Sequence, residues 1–285
     1  QQVPQALVHV GKLAGLVEDE NDVRRGIHQE TVQPFRTVDA SAGGFMLPLQ
    51  AALGQGARHG MQQDFRLDGD LLTWTSGIET TSPENNTVYA KYFPLENNRK
   101  SAVVVLPHWN AKAGTYWDLC KIFNRVGITA LRMTLPFHEE RMPPELERAD
   151  YLVAPNVGRT LQGLQQSVVD ARSAVRWLKQ QGYEKIGIVG TSIGSCVGFF
   201  AFTHDMDIDT AVFNHVSGYP ADVVWHGLST YAVKEGLGNN LTLDELREYW
   251  LPISPMAYID RLAKLPPRPQ RYIYTLYDLS FPVDL

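Results

Sequence analysis

Lys185-Ile186-Gly187-Ile188-Val189-Gly190-Thr191-Ser192-Ile193-Gly194-Ser195-Cys196-Val197-Gly198-Phe199-Phe200-Ala201-Phe202 is the stretch whose reading decides how this chain folds. A short apolar run rich in β-branched residues reads as a buried strand. A second apolar run, without a turn signal, reads as a buried helix. Gly190-Thr191-Ser192-Ile193-Gly194 joins them and fits G-x-S-x-G. Such a string is weak evidence alone. Its flanks carry the weight, because the motif needs a strand entering a tight turn and leaving at once as a helix, with small residues around the serine. In that geometry the Ser192 hydroxyl stands at the carboxyl end of a sheet, where open α/β folds place their sites. The N–H of Ile193, in the first helical turn, faces a developing oxyanion and gains from the helix dipole. The plainer reading makes Ser192 a helix cap. Both flanks together favour the nucleophile.

Outward from this turn the chain alternates strands and helices. Leu71–Thr80 and Thr87–Leu95 read as a hairpin broken at Ser82-Pro83-Glu84-Asn85-Asn86. Ala102–Leu106 and Ile128–Leu135 read as buried strands closed by Pro107 and Pro136, with a helix over Thr115–Val126 between them that stops at Gly127. Gly158–Gln181 is the strongest helical pattern, with Leu161, Leu164, Val168, Ala171, Val175 and Leu178 on one stripe. A helix from Ser192 to about His204, then strands Thr210–Val216 and Arg271–Tyr277, complete the series. Strands separated by helices mean right-handed crossovers and a mostly parallel sheet with helices on both faces. The residues between the last two strands exceed a crossover's needs, and read as a cap over about 218–270 containing a helix at Thr242–Trp250. Residues 1–66 read as a partly irregular or helical extension, and 67–285 as the α/β domain.

At these residues the chain resembles the α/β-hydrolase superfamily, in element order as well as motif, and within it bacterial serine hydrolases that carry a cap and an N-terminal extension. The resemblance covers about residues 70–285. It implies a second oxyanion donor in the loop after Ala102–Leu106, here Pro107-His108-Trp109-Asn110. Trp109 stands where that family often has glycine, so the donor is the N–H of Trp109 or of Asn110, with His108 as a brace of the loop. The resemblance also implies an acid after the last expected strand, which is Asp278; its plainer reading is a turn residue, and its place in the element order favours the acid. It places the histidine base beyond the acid, after a further strand. No histidine follows Asp278 in the seven remaining residues. The expectation is therefore a catalytic histidine, a strand and a helix past Leu285, with His215, His226 and His138 as less favoured bases.

Composition narrows the rest. Lys+Arg number 26 against 31 Asp+Glu, a formal net charge of -5, which argues against a general nucleic-acid binder. No apolar run approaches a membrane span. Cys120 and Cys196 make neither a disulfide scaffold nor a zinc site, and in the resembled layout their helices lie on opposite faces of the sheet, so no bond joins them. The start at Gln1 reads as a trimmed N-terminus; compartment and oligomeric state stay open. Asp205–Asp209 lacks the glycine and glutamate of a calcium loop, and His138-Glu139-Glu140-Arg141 lacks a zincin's second histidine. Asn85 and Asn240 stand in glycosylation sequons. Arg261, Lys264, Arg268 and Arg271 read as a solvated basic face, and Trp225, Tyr231, Tyr249 and Trp250 as core of the cap.

The expected activity is metal- and cofactor-free hydrolysis of a small carboxylic ester through an acyl-enzyme on Ser192. Amide or thioester hydrolysis by the same nucleophile, or a non-catalytic binding scaffold of the same fold, are the alternatives.

Overall fold

A computed structural model of the chain describes residues 64–96 and 98–281. The expected extension thus lies, up to residue 63, outside the described residues.

Two neighbouring strands carry the chain through the interior of the sheet: β4 (Ser101–Leu106) and β6 (Lys185–Thr191), paired in parallel from Ser101↔Lys185 to Leu106↔Gly190. Alternate side chains of β4 explain why it needs cover on both faces. Ala102, Val104 and Leu106 enter the larger core, beside Val168 and Val175 of one helix and Val197 and Phe200 of the next. Val103 and Val105 point the other way and pack with Cys120 and Ala130. A strand buried on both faces is a continuous apolar run. The helices on the two faces are α1 (Trp117–Arg125) on one side, and α2 (Val157–Gln180) with α3 (Ile193–His204) on the other.

The sheet has eight strands in the order β1-β2-β3-β5-β4-β6-β7-β8. β1 (Arg66–Asp68), β2 (Leu71–Thr75) and β3 (Thr87–Phe93) run antiparallel to one another, and β3 is antiparallel to β5 (Thr129–Met133). From β5 through β4, β6, β7 (Thr210–Asn214) and β8 (Gln270–Ile273) every pairing is parallel. The expected mostly parallel sheet led by an antiparallel hairpin is what the structure shows; β1 is an addition.

Several strands are shorter than their sequence pattern. β2 ends at Thr75; the next residue, Ser76, still donates its N–H to Asn86 at 2.8 Å, while its hydroxyl donates to the buried Asp170 carboxylate at 2.7 Å. Asp170 also accepts from Arg141 at 2.9 Å, and both side chains are fully buried. The Arg141 guanidinium donates in addition to the carbonyls of Asn85 and Thr134. The hairpin break is a 3-10 turn, Pro83–Asn86, whose Asn85 is buried with its amide on Gln166 at 2.7 Å. The folded state therefore closes that sequon. β7 and β8 part together. His215, at φ +55°, turns off the ladder after its N–H donates to Ile273 at 2.8 Å, and Tyr274, Leu276 and Tyr277 beyond the pairing are exposed.

Between β7 and β8 lie four short helices, α4 (Pro220–His226), α5 (Tyr231–Leu237), α6 (Leu243–Tyr249) and α7 (Ile259–Ala263). A capping box of Thr242 and Glu245 starts α6, so the chain reaches helical geometry with its first amides satisfied. Arg247 of α6 grips Asp222 of α4. Of the four aromatic residues expected in this segment's core, Trp250 is buried with its indole N–H on the Val157 carbonyl, whereas Tyr231 and Tyr249 are exposed.

The basic cluster is not a solvated face throughout. Arg268 donates to the carbonyls of Asp205 at 2.8 Å and Ile208 at 2.7 Å, and also to Phe202, while Arg261 reaches Thr203. These arginines satisfy open carbonyls in the last turn of α3, at Phe202 and Thr203, and just beyond it, where the helix dipole favours a cation. Cys120 and Cys196 are both free and buried. Among the described residues no helix is long and apolar enough to cross a membrane.

Candidate functional site

β6 is the strand that carries the site. It lies between β4 and β7, so its carboxyl end emerges between theirs. Ser192 follows directly, at φ +55° and ψ −122°, a conformation that a residue with a side chain adopts only under constraint. The surroundings supply the constraint. The Ser192 N–H donates to Asn214 at the end of β7, 2.8 Å away. The Ser195 hydroxyl, one turn into α3, lies 2.7 Å from the Gly190 carbonyl and 2.6 Å from that of Asn214. The two motif glycines are required by proximity. A Cβ on Gly190 would stand 2.2 Å from the Gly194 carbonyl oxygen, and one on Gly194 would stand 2.5 Å from the oxygens of both Leu106 and Pro107.

The cap reading of Ser192 finds no support in this geometry: its side chain makes no capping hydrogen bond to α3. The hydroxyl is half-buried and, among the described residues, unengaged. Ile193 is the first helical residue, so its N–H has no partner within α3.

The loop after β4 is a turn over His108–Ala111, with the Ala111 N–H donating to the His108 carbonyl at 3.3 Å. Asn110 sits at its third position with φ +60°, where asparagine is among the few residues tolerated. Its N–H is engaged, donating to His138 Nε2 at 2.8 Å, so of the two candidate donors only the Trp109 N–H is without an acceptor among the described residues. The Trp109 indole donates to the Ala149 carbonyl at 2.9 Å, and the Asn110 side chain accepts from the Ala149 N–H at 2.9 Å. His108 has its Nδ1 2.8 Å from the Tyr116 hydroxyl. That contact ties the turn to the segment leading into α1.

Asp278 follows β8 in a turn of its own. One oxygen accepts from the amides of Ser280 at 2.8 Å and Phe281 at 2.9 Å. The other accepts from the Thr275 hydroxyl at 3.2 Å and lies 3.7 Å from His215 Nε2. The His215 ring stacks on Phe281. Ser192, His215 and Asp278 thus follow the ends of three neighbouring strands, β6, β7 and β8.

The other two histidines weighed as bases are elsewhere. His226 ends α4 and is exposed. His138 is 2% exposed with both ring nitrogens engaged, Nδ1 donating to the Pro136 carbonyl at 2.9 Å. Burial, reinforced by the charges of Arg132 and Arg141, pushes its pKa down to about 4. Among the described residues no cluster of histidine, cysteine and carboxylate side chains fits a metal ion.

Comparison with models of protein families gave no match, and no curated protein matches the sequence. Solved structures do match. Acetyl xylan esterase 1 from a Thermoanaerobacterium species superposes with TM-score 0.58 at 11% identity, over 85% of this chain and 80% of its own. An acetyl xylan esterase from a Paenibacillus species gives 0.53 at 13%, over 82% and 89%. Acylaminoacyl peptidase from Pyrococcus horikoshii gives 0.55 at 17%, over 80% of this chain but only 35% of its own, so the chain spans about a third of that protein.

The chain has the α/β-hydrolase fold.

The strained Ser192 turn joins β6 directly to α3, and the His108–Ala111 turn follows β4, the strand beside it. Sequence reasoning found the strand–turn–helix at Ser192 and the loop after β4. It missed that His138 occupies the Asn110 amide, since no local pattern announces a contact across 28 residues.

Proposed function

We propose that this chain is a serine hydrolase that cleaves small carboxylic esters. The observation that carries the reading is Ser192: a strained residue at the end of a central strand, its hydroxyl withheld from helix capping, next to a helix-terminal N–H. Ser192 Oγ attacks the ester carbonyl carbon and an imidazole takes its proton. The carbonyl oxygen becomes an oxyanion between the N–H groups of Ile193 and Trp109. The imidazole returns the proton to the leaving alcohol, then activates a water that releases the acid and restores Ser192. Asp278 orients the imidazole and stabilises it when charged. The names of the similarly folded proteins, esterases and a peptidase, support acyl transfer as the class of chemistry.

Ser192→Ala should abolish p-nitrophenyl acetate turnover and labelling by a fluorophosphonate. Labelling that persists in the variant ends the reading. A wild-type chain that takes no label and turns over no ester, thioester or anilide is a binding scaffold instead. His215→Ala identifies the base. A loss equal to that of Ser192→Ala assigns it to His215, beside the acid; a loss under tenfold assigns it to another histidine.

A further inference from the structure

We infer that His138 is a positioning residue for acyl transfer: as a neutral hydrogen-bond acceptor it sets the turn that presents the Trp109 N–H to the oxyanion. The inference rests on the serine-hydrolase reading and adds a residue outside its reacting groups.

The tautomer follows from the partners. A carbonyl oxygen only accepts, so the Pro136 carbonyl, 2.9 Å from Nδ1, puts the ring proton on Nδ1. Nε2 is left with its lone pair, and the Asn110 N–H, 2.8 Å away, is the donor that uses it. The two hydrogen bonds are consistent only with the neutral ring. A second proton would set Nε2–H against N–H and break the contact.

The ring is held with unusual firmness. Phe137 at φ +63° and Glu139 at φ +50° flank it, two non-glycine residues in the left-handed region. Conformations of that kind persist where the surroundings over-determine them. Here the Phe137 N–H donates to Asn85 Oδ1 at 3.0 Å, and both oxygens of Glu139 meet the Arg132 guanidinium. The Arg141–Asp170 pair closes the loop from behind. All this structure converges on a ring that touches neither Ser192 nor Asp278 by any hydrogen bond. Its output is the Asn110 amide. Asn110 is the left-handed residue of the turn, and His138 holds the Trp109–Asn110 peptide, which adjoins the His108–Trp109 peptide that carries the Trp109 N–H. The side chains on either side of that peptide are both anchored on Ala149, the Trp109 indole on its carbonyl and the Asn110 amide oxygen on its N–H, so the turn is held from two directions. Without the acceptor, a buried N–H loses its partner and the turn can rotate the peptide to find water.

The test combines variants of the whole chain with a readout independent of turnover. His138→Ala removes the acceptor; His138→Gln keeps a neutral oxygen acceptor at about the reach of Nε2. Amide hydrogen exchange at Asn110 reports the contact, and the rates of fluorophosphonate labelling and p-nitrophenyl acetate turnover report the chemistry. The expected result is that His138→Ala loses Asn110 protection and about 10²-fold in kcat with KM changed less than threefold, in the range for removal of an oxyanion donor. His138→Gln should restore protection and most of kcat. Normal labelling with undiminished kcat in His138→Ala overturns the inference alone. So does loss of kcat with Asn110 still protected. A wild-type chain that takes no label overturns the hydrolase reading first and this inference with it.

Discussion

Gly194→Ala adds one methyl group where the nucleophile helix meets the end of β4, and its cost can be worked from the contacts. The new carbon would sit 2.5 Å from the carbonyl oxygens of Leu106 and Pro107 and 2.8 Å from the Leu106 carbonyl carbon. Ordinary van der Waals contact begins near 3.4 Å, so the start of α3 and the end of β4 must separate by about 0.9 Å. All the obstructing atoms are backbone. Neither side relaxes cheaply, because Leu106 is paired to Gly190 in the parallel ladder and α3 is packed through Val197 and Phe200 into the larger core. Overpacking of this kind costs about 1–3 kcal/mol. The catalytic effect should be larger than the stability effect. Ile193 precedes the added methyl by one residue, and Trp109 follows Leu106 by three, so the two proposed oxyanion donors move apart. A misplacement of about 1 Å in such a site costs roughly 10²-fold in rate. Urea unfolding followed by tryptophan fluorescence gives the first quantity, and fluorophosphonate labelling kinetics the second. Gly158→Ala is the matched control: its Cβ would meet only Asn156 Oδ1 at 3.7 Å, an ordinary contact in the first turn of α2. If Gly194→Ala labels as fast as wild type and unfolds at the same urea concentration, the close approach of elbow and oxyanion strand is not what the chemistry depends on.

Acid should destabilise the protein early. Burial lowers the pKa of His138 and of His204 to about 4, so below pH 6.5 the unfolded chain takes up protons that the folded chain refuses. Stability is complete above about pH 6.5 and falls by up to roughly 3 kcal/mol per histidine as pH approaches 4; urea midpoints between pH 7.5 and 4.5 check the slope, and a flat profile contradicts it. Asp170→Asn leaves Arg141 charged and fully buried without its counter-ion, and should cost about 3–5 kcal/mol by the same unfolding measurement. Replacing both partners by apolar residues of similar size should recover part of that loss, since the unpaired charge is gone. Cys120 and Cys196 are buried thiols whose pKa values burial raises to about 12 and about 11, so a thiol reagent should find neither in the native protein and both in denaturant. A native thiol that reacts within seconds would refute their burial.

Element order and type were legible because they are written in local periodicity. The apolar stripe of Val157–Gln180, the uninterrupted AVVVL of β4 and the strand–turn–helix around Ser192 each need only their own neighbours to be recognised. That local record was enough to name an α/β architecture, find the one serine whose flanks suit an elbow, and place Asp278 after the last strand. Strand ends were less legible. Residues 76–80 and 274–277 carry strand-forming side chains, yet β2 ends where the facing chain becomes the Pro83–Asn86 turn, and β8 ends where its partner β7 turns at His215. The basic cluster was misread for the same reason, since nothing near Arg268 in the chain marks the carbonyls of Phe202, Asp205 and Ile208 as its partners. Only the tertiary structure shows that the Asn110 amide is engaged, because its acceptor is a ring 28 residues further on. It also brought His215 beside Asp278, 63 positions further along the chain. Local sequence carries propensity and pattern; which donor meets which acceptor depends on how crossovers stack the strand ends, and that is settled only when the whole sheet has formed.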